Sequence, residues 1–170
     1  MQNKFIFTSK NLGVRLGNLS DTDKLYEIAV HDSGKEVLKD KIQSVDDVVR
    51  LTKMAIDSDR LRHYPFRYII TRKADGDIIG YVCYKRNAEK TVQLIISIAD
   101  KYRGQGYASE LLGAAVKYGK QELGLAQIYC IVTKDNAVAR HIMEKNGFSL
   151  IEEYEAEWSN KMTAFERYRV

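Results

Sequence analysis

Ile95-Ile96-Ser97-Ile98-Ala99-Asp100-Lys101-Tyr102-Arg103-Gly104-Gln105-Gly106-Tyr107-Ala108 decides how this chain is read. The segment passes from an apolar strand, through a short polar turn, into a glycine-rich step that opens a helix. A helix start presents unpaired N–H groups and the positive end of the macrodipole, so it holds anions. Gly104 and Gly106 let the backbone approach a phosphate with no Cβ in between, and Arg103 adds positive charge. Two readings stand at this point: a pyrophosphate cradle, or a tight strand-to-helix turn without a ligand.

The better-known phosphate loops do not fit. A dinucleotide fingerprint needs a third glycine where this chain has Ser109, and no Gly-Lys-Ser/Thr triplet follows for a P-loop. What remains is Arg-x-x-Gly-x-Ala, carried by Arg103, Gly106 and Ala108. Downstream, Val132-Thr133-Lys134-Asp135-Asn136-Ala137-Val138-Ala139-Arg140-His141-Ile142-Met143-Glu144-Lys145-Asn146-Gly147-Phe148 reads as strand end, Asn-started helix, Gly stop and new strand. Taken singly, Asn136 is an ordinary N-cap and Gly147 an ordinary left-handed C-cap.

In this order and separation, the two segments resemble the acetyl-CoA-binding motif and the Asn-started helix of the GNAT acetyltransferase superfamily. The style is that of its ribosomal-protein-type N-acetyltransferase branch. The resemblance covers the chain coarsely and Leu94 to Phe148 specifically. It implies one GNAT domain over residues 1–170, of the α/β (α+β) class. That fold has a mixed, mostly antiparallel sheet of about six to seven strands, splayed at its centre and flanked by about four helices. It also implies acetyl-CoA as cosubstrate, no metal, and direct acetyl transfer to a primary amine, either a small molecule or a protein N-terminus. A homodimer is compatible with it. By the same resemblance, Arg103, Gly104, Gln105, Gly106, Tyr107 and Ala108 would hold the pyrophosphate. Ile96 and Ile98 would offer backbone groups to the pantetheine arm, and Asn136 would approach that arm.

Composition agrees with this scale. A chain of 170 residues supports one sizeable core. At 45% hydrophobic and 29% charged it reads as a soluble globular protein rather than a disordered or fibrous one. No apolar run approaches the ~20 residues that span a bilayer, and Met1 to Phe7 lacks a signal-peptide pattern, so a cytoplasmic location and no membrane partner are expected. The net charge of +4 is interspersed rather than gathered into a basic stripe, which argues against nucleic acid as a partner. Lys101, Arg103, Lys134, Arg140 and Lys145 could supply local charge for the cofactor's phosphates. Cys83 and Cys130 sit in apolar runs and read as buried thiols.

Along the chain, Leu12–Leu16 alternates as a first strand, and Ser20-Asp21-Thr22-Asp23 caps a helix. A polar stretch around Asp32-Ser33-Gly34 precedes a second helix starting at Ser44. Phe66–Thr71, Ile78–Tyr84 and Val92–Ile98 form a meander, with Ala74-Asp75-Gly76-Asp77 as a hairpin turn. Ala108, Leu111, Leu112, Ala115, Val116, Gly119 and Leu123 trace one helical face. Ala126–Val132 then reads as a strand parallel to the one before that helix, and Phe148–Trp158 and Thr163–Arg169 as a final pair.

The residues for chemistry are less legible. Amine acetylation needs a neutral amine, a polarised carbonyl and a protonated leaving thiolate. At the position ten before the motif arginine, where the family often carries a Glu, this chain has Gln93. The family's acid positions, three and seven after the helix-starting Asn, hold Ala139 and Met143. The catalytic group is therefore unassigned, and a CoA-binding module with weak or no catalysis stands as the alternative. A nucleotide-phosphate binder unrelated to CoA would require the second segment to be accidental. For the acceptor, the segments to inspect are Lys35–Asp40, Asp57–Tyr64 and Glu152–Asn160. In the last, Glu152, Glu153, Glu155 and Glu157 beside Trp158 form either an attracting patch or a solvated strand face.

Overall fold

Turn chemistry sets the strand boundaries in the computed structural model, which describes residues 4–31 and 42–170. Eight strands form: β1 (Phe5–Thr8), β2 (Leu12–Arg15), β3 (Phe66–Arg72), β4 (Ile78–Ala88), β5 (Thr91–Ile98), β6 (Gln127–Thr133), β7 (Ser149–Trp158) and β8 (Lys161–Arg169). Among the described residues four α-helices connect them: α1 (Thr22–His31), α2 (Val45–Leu61), α3 (Tyr107–Gln121) and α4 (Ala137–Lys145). The strands make one sheet in the order β1-β2-β3-β4-β5-β6-β8-β7. Every neighbouring pair is antiparallel except β5 and β6, which run parallel as expected. The strand beyond the expected six to seven is β1, whose Phe5-Ile6-Phe7 run is apolar throughout and so shows no alternation.

Local signals explain the helix ends. Ser44 caps α2 and Asp47 returns the bond, a capping box, while Arg62 closes the helix in the left-handed conformation. Ahead of α1 the cap is Asn18, two residues earlier than expected, because a 3-10 turn at Leu19–Asp21 intervenes. The Asp32-Ser33-Gly34 stretch and the Lys35–Asp40 acceptor segment lie outside the described residues. The α3 helix stops at Gln121, so Leu123 belongs to the following turn, where Gly124 has φ +64°.

Side-chain alternation sends successive strand residues to opposite faces. On one face, Tyr84 donates its hydroxyl to the Ala115 carbonyl of α3 at 2.8 Å, and Val92, Leu94, Leu111, Leu112 and Ile128 pack into a core. Leu111 and Leu112 are fully buried, each worth about 1.5–3 kcal/mol by transfer. On the other face, Ile69, Tyr81 and Ser97 meet Leu25, Ile28, Val48 and Ala55 of α1 and α2 around a cavity of about 130 Å³.

Candidate active site

The sheet comes apart at its centre. β5 and β6 pair only at Thr91–Gln127, Val92–Ile128 and Gln93–Tyr129. Beyond that rung the two strands continue, β5 to Ile98 and β6 to Thr133, without pairing. Ile95 to Ser97 and Ile131 to Thr133 are accordingly half-exposed in the middle of a sheet.

Register shows which backbone groups line the opening. Ala99 donates its N–H to Ile79 of the β4 side at 2.8 Å, and the β4–β5 register runs without a shift from Gly80–Ile98 to Lys85–Gln93. Antiparallel ladders alternate, so Ser97 and Ile95 bond β4, whereas Leu94, Ile96 and Ile98 turn their polar groups away from it. Across the opening, Lys134 bonds Ala164 and Val170 bonds Ile128, both at the β8 edge. Ile131 and Thr133 therefore turn toward β5. Ile96 and Ile98 thus stand on the wall of the opening.

The glycine turn lies at its open end. Gly104 and Gly106 hold φ +74° and +79°, a region that glycine enters without cost, and nothing lies within 4 Å of where a Cβ would stand. Gly106 is the N-cap of α3 and no side chain caps the helix. The first N–H groups, those of Tyr107, Ala108 and Ser109, have no acceptor within the helix. Gln105 is exposed between the glycines. This helix start is fixed from both sides: Glu110 accepts from the Asn11 N–H at 2.7 Å and from the Ser9 hydroxyl, and Asn146 of the α4 end donates to Ser109 at 3.1 Å. An open, donor-lined turn of this kind fits a diphosphate. Tyr102 is buried beneath it, with its hydroxyl donated to Asp77 at 2.7 Å.

Charge around the turn is more balanced than the sequence suggests. The Arg103 Nε donates to the Ile98 carbonyl at 2.9 Å, and its Nη1 meets Asp100 at 2.6 Å. Arg103 thus braces the turn against the end of β5. Lys134 pairs with Glu153 at 2.6 Å, and Arg140 faces the buried Glu166 at 3.7 Å. Asn136 caps α4 by accepting the Ala139 N–H at 3.0 Å, leaving the amide NH2 as the donor end.

The three usual acid and base positions are placed but carry no titratable group. Gln93 occupies the last paired rung with Tyr129, Ala139 lies in the first turn of α4, and Met143 packs against the core. Alternation settles the tyrosines: Tyr84 is in the core under α3, Tyr81 lines the cavity under α1 and α2, and Tyr129 stands at the closed end of the opening. The Tyr129 hydroxyl bonds the Asn87 side chain, and burial raises its pKa above the ordinary phenol value. The acidic run on β7 divides: Tyr154 stacks on Phe165 and Trp158 meets the same ring edge-on, while Glu152 and Glu153 face Arg167 and Lys134. It behaves as a solvated strand face.

Both thiols are free and buried. Burial raises that of Cys83 and pushes that of Cys130 up to about 12, so neither supplies a thiolate nucleophile near neutrality. A Cys83→Ala, Cys130→Ala double variant should retain turnover, measured as CoA release at a temperature where circular dichroism shows it folded. Loss of turnover in a folded, acetyl-CoA-binding variant would reinstate a cysteine acyl carrier.

Comparison with known proteins agrees with this geometry. The family described as Acetyltransferase (GNAT) domain matches residues 11–149. A spermidine N(1)-acetyltransferase of Escherichia coli (strain K12) is 33% identical over 86 residues, 49% of this chain and 45% of that protein, so the chain spans about half its length. An N-alpha-acetyltransferase of Sulfurisphaera tokodaii is 22% identical over 144 residues, covering 72% of this chain and 86% of that one. Among solved structures, a spermidine N-acetyltransferase from Vibrio cholerae in complex with CoA and spermine superposes with a TM-score of 0.79 at 20% identity, covering 94% of this chain and 95% of that one, which bears on fold alone. With the family matched across the split sheet, the glycine turn and the Asn136 helix, this chain belongs to the GNAT acetyltransferase family.

Proposed function

We propose that this chain is an acetyl-CoA-dependent N-acetyltransferase that moves an acetyl group directly to a primary amine. The observation that carries the reading is the opening between β5 and β6, walled by outward-turned backbone groups of Ile96, Ile98 and Ile131 and ending at the Gly104–Gly106 turn. In this reading the N–H groups from Gly104 to Ala108 hold the pyrophosphate. Ile96 and Ile98 pair with the pantetheine arm as a neighbouring strand would, the Ile98 N–H remaining available while its carbonyl receives Arg103. The Asn136 amide donates to the same arm.

Bound acetyl-CoA would supply a thioester whose acyl carbon takes the lone pair of a neutral amine as the C–S bond breaks and the thiolate gains a proton. The chain's contribution is alignment, a main-chain N–H turned to the carbonyl, and exclusion of water. Because Gln93 cannot act as a base, the amine arrives neutral from solution or loses its proton through water. Two buried thiols and a CoA cosubstrate suit a reducing cytoplasm.

Calorimetry with acetyl-CoA and CoA release over a panel of primary amines test this. Replacing Gly106 with Val forces a β-branched residue to φ +79° and fills the cradle, so affinity should fall at least tenfold. Unchanged affinity removes the turn from the reading. Binding without CoA release for any amine would mark the chain as a CoA-binding module.

Asn136 separates capping from binding. Asn136→Asp keeps a good cap, with charge suited to a helix N-terminus, but removes the amide donor. Its melting temperature should hold while acetyl-CoA affinity drops. Asn136→Ala should lower both, the lost cap costing ~1 kcal/mol. Normal binding by the Asp variant would confine Asn136 to a structural role.

A further inference from the structure

The far end of the opening from the glycine turn meets a cleft of about 750 Å³ whose charge is unbalanced. Arg62, Arg67, Lys85 and Arg86 line it, with Glu89 as its one carboxylate. None of the four cations forms an ion pair among the described residues. Arg62 and Arg86 rest instead on the rings of Phe66 and Tyr64, at 5.5 and 5.6 Å. Arg67 is the most telling: its Nη1 is buried and has no hydrogen-bond partner. Arg140 and Arg167 also bury an unpaired Nε, yet both have terminal nitrogens facing carboxylates, of Glu166 and Glu152. A buried guanidinium nitrogen without an acceptor is costly, and a ligand oxygen would relieve that cost.

Position says which ligand. Lys85, Gln93 and Tyr129 form one rung across β4, β5 and β6, the last before the sheet parts. The cleft therefore adjoins the closed end of the opening. Gln93 and Ile98 are five strand residues apart, roughly 17 Å at ~3.4 Å per residue, so these cations are too distant to serve phosphates held at the glycine turn. Arg67 also borders the cavity lined by Tyr81 and Ser97 under α1 and α2, and by register it shares a sheet face with Lys85 and Gln93.

We propose that the acceptor amine carries a carboxylate, received by the Arg67 guanidinium with Arg62, Lys85 and Arg86 around it. This rests on the acetyltransferase reading above. A guanidinium fork matches a carboxylate geometrically, and a field of one sign draws anions while repelling polycations. The substrate class is a primary amine bearing a carboxylate, as in an acidic peptide N-terminus or a free acidic amino acid. Polyamines are disfavoured.

The test uses the full chain with acetyl-CoA and four acceptors: an N-terminally free hexapeptide with Asp or Glu at its second to fourth positions, the same peptide with Lys there, free glutamate, and spermidine. Acidic acceptors should show kcat/KM at least tenfold above the lysine peptide and spermidine. The peptide and glutamate arms tell which source is used. Arg67→Met and the exposed Lys85→Glu should each erase most of that preference, and Arg67→Lys should restore part of it, with acetyl-CoA affinity unchanged. Equal acetylation of acidic and basic acceptors, or a preference that survives both the neutralising Arg67→Met and the charge-reversing Lys85→Glu, overturns the proposal while leaving the transferase reading intact. Calorimetry of the acidic peptide on CoA-loaded protein covers the converse. Binding that is lost in Arg67→Met without any turnover would keep the anion site and remove the transferase activity, whereas no binding and no turnover would remove both.

Discussion

Gly80→Ala should unfold the protein at a markedly lower denaturant concentration, at a cost of about 3 kcal/mol, the upper end of what overpacking exacts. A Cβ at this β4 position would stand 2.0 Å from the Ser97 carbonyl oxygen and 3.0 Å from its carbon. These are backbone atoms of the adjoining strand, so no rotamer change can relieve the contact. Gly80 lies opposite Ile98, in the close, non-hydrogen-bonded type of pair. The strands must separate there, and β5 must shift toward the opening it lines. Urea unfolding gives the stability, and acetyl-CoA titration of the surviving folded fraction should show weakened binding as well. A variant within 0.5 kcal/mol of the parent, on the order of an ordinary surface change, would mean the strands separate freely.

Arg15→Met should cost about 3–5 kcal/mol, the range for leaving one member of a buried ion pair alone. Arg15 and Asp21 are both buried and meet in a two-pronged contact at 2.8 and 2.9 Å, while Asp21 also accepts the Asn18 N–H at 2.8 Å. Burial pushes the Asp21 carboxyl up, but the Arg15 hydrogen bond, the Asn18 N–H and the Arg15 charge outweigh it, and its pKa lies below the ordinary value. A carboxylate with a lowered folded-state pKa contributes stability that is fully present above about pH 4, its unfolded value, and is lost as pH falls through the folded one. Without Arg15 the desolvation remains and the support goes, so the penalty should shrink on acidification from pH 7. The double variant Arg15→Met, Asp21→Leu should recover much of the loss. Melting curves between pH 3 and pH 7 decide it, and an Arg15→Met penalty below about 1 kcal/mol would make the pair dispensable.

That pair was invisible in the sequence for a definite reason. Asp21 sits in a Ser-Asp-Thr-Asp run that reads as a solvent-facing helix cap, and only the 3-10 turn before α1 swings it inward to Arg15. Legibility was high where a signal is local. The Gly104–Gly106 turn, the Asn136 cap and the helix start at Ser44 depend on backbone chemistry within a few residues, and each stands where it was expected. The parallel β5–β6 pair followed from the strand–helix–strand order. The proposed acceptor side was largely illegible, because Arg67, Lys85 and Arg62 come from two strands and a helix end and share no spacing. Of the segments singled out for inspection that lie among the described residues, Asp57–Tyr64 reaches the cleft, through Arg62, His63 and Tyr64. Strand faces were equally hidden for Tyr81 and Tyr129, since both strands carry apolar residues on each side and alternation gives no phase.

Three rungs between β5 and β6 are the entire ladder joining one half of the sheet to the other. The two halves therefore resemble a hinge held by its pin, with further cohesion from α3 packed beneath against Tyr84 and Ile128 and from the Asn87–Tyr129 side-chain bond. An extended ligand in the opening would act as a ninth strand, completing rungs that the chain leaves undone. Folding and occupancy then become one equilibrium: at a hundredfold excess over its dissociation constant, such a ligand adds about 2.7 kcal/mol of stability. The amides of Ile96, Ile98 and Ile131 would be the ones whose hydrogen exchange slows most. The lifetime of this protein would then follow the supply of whatever fills that gap.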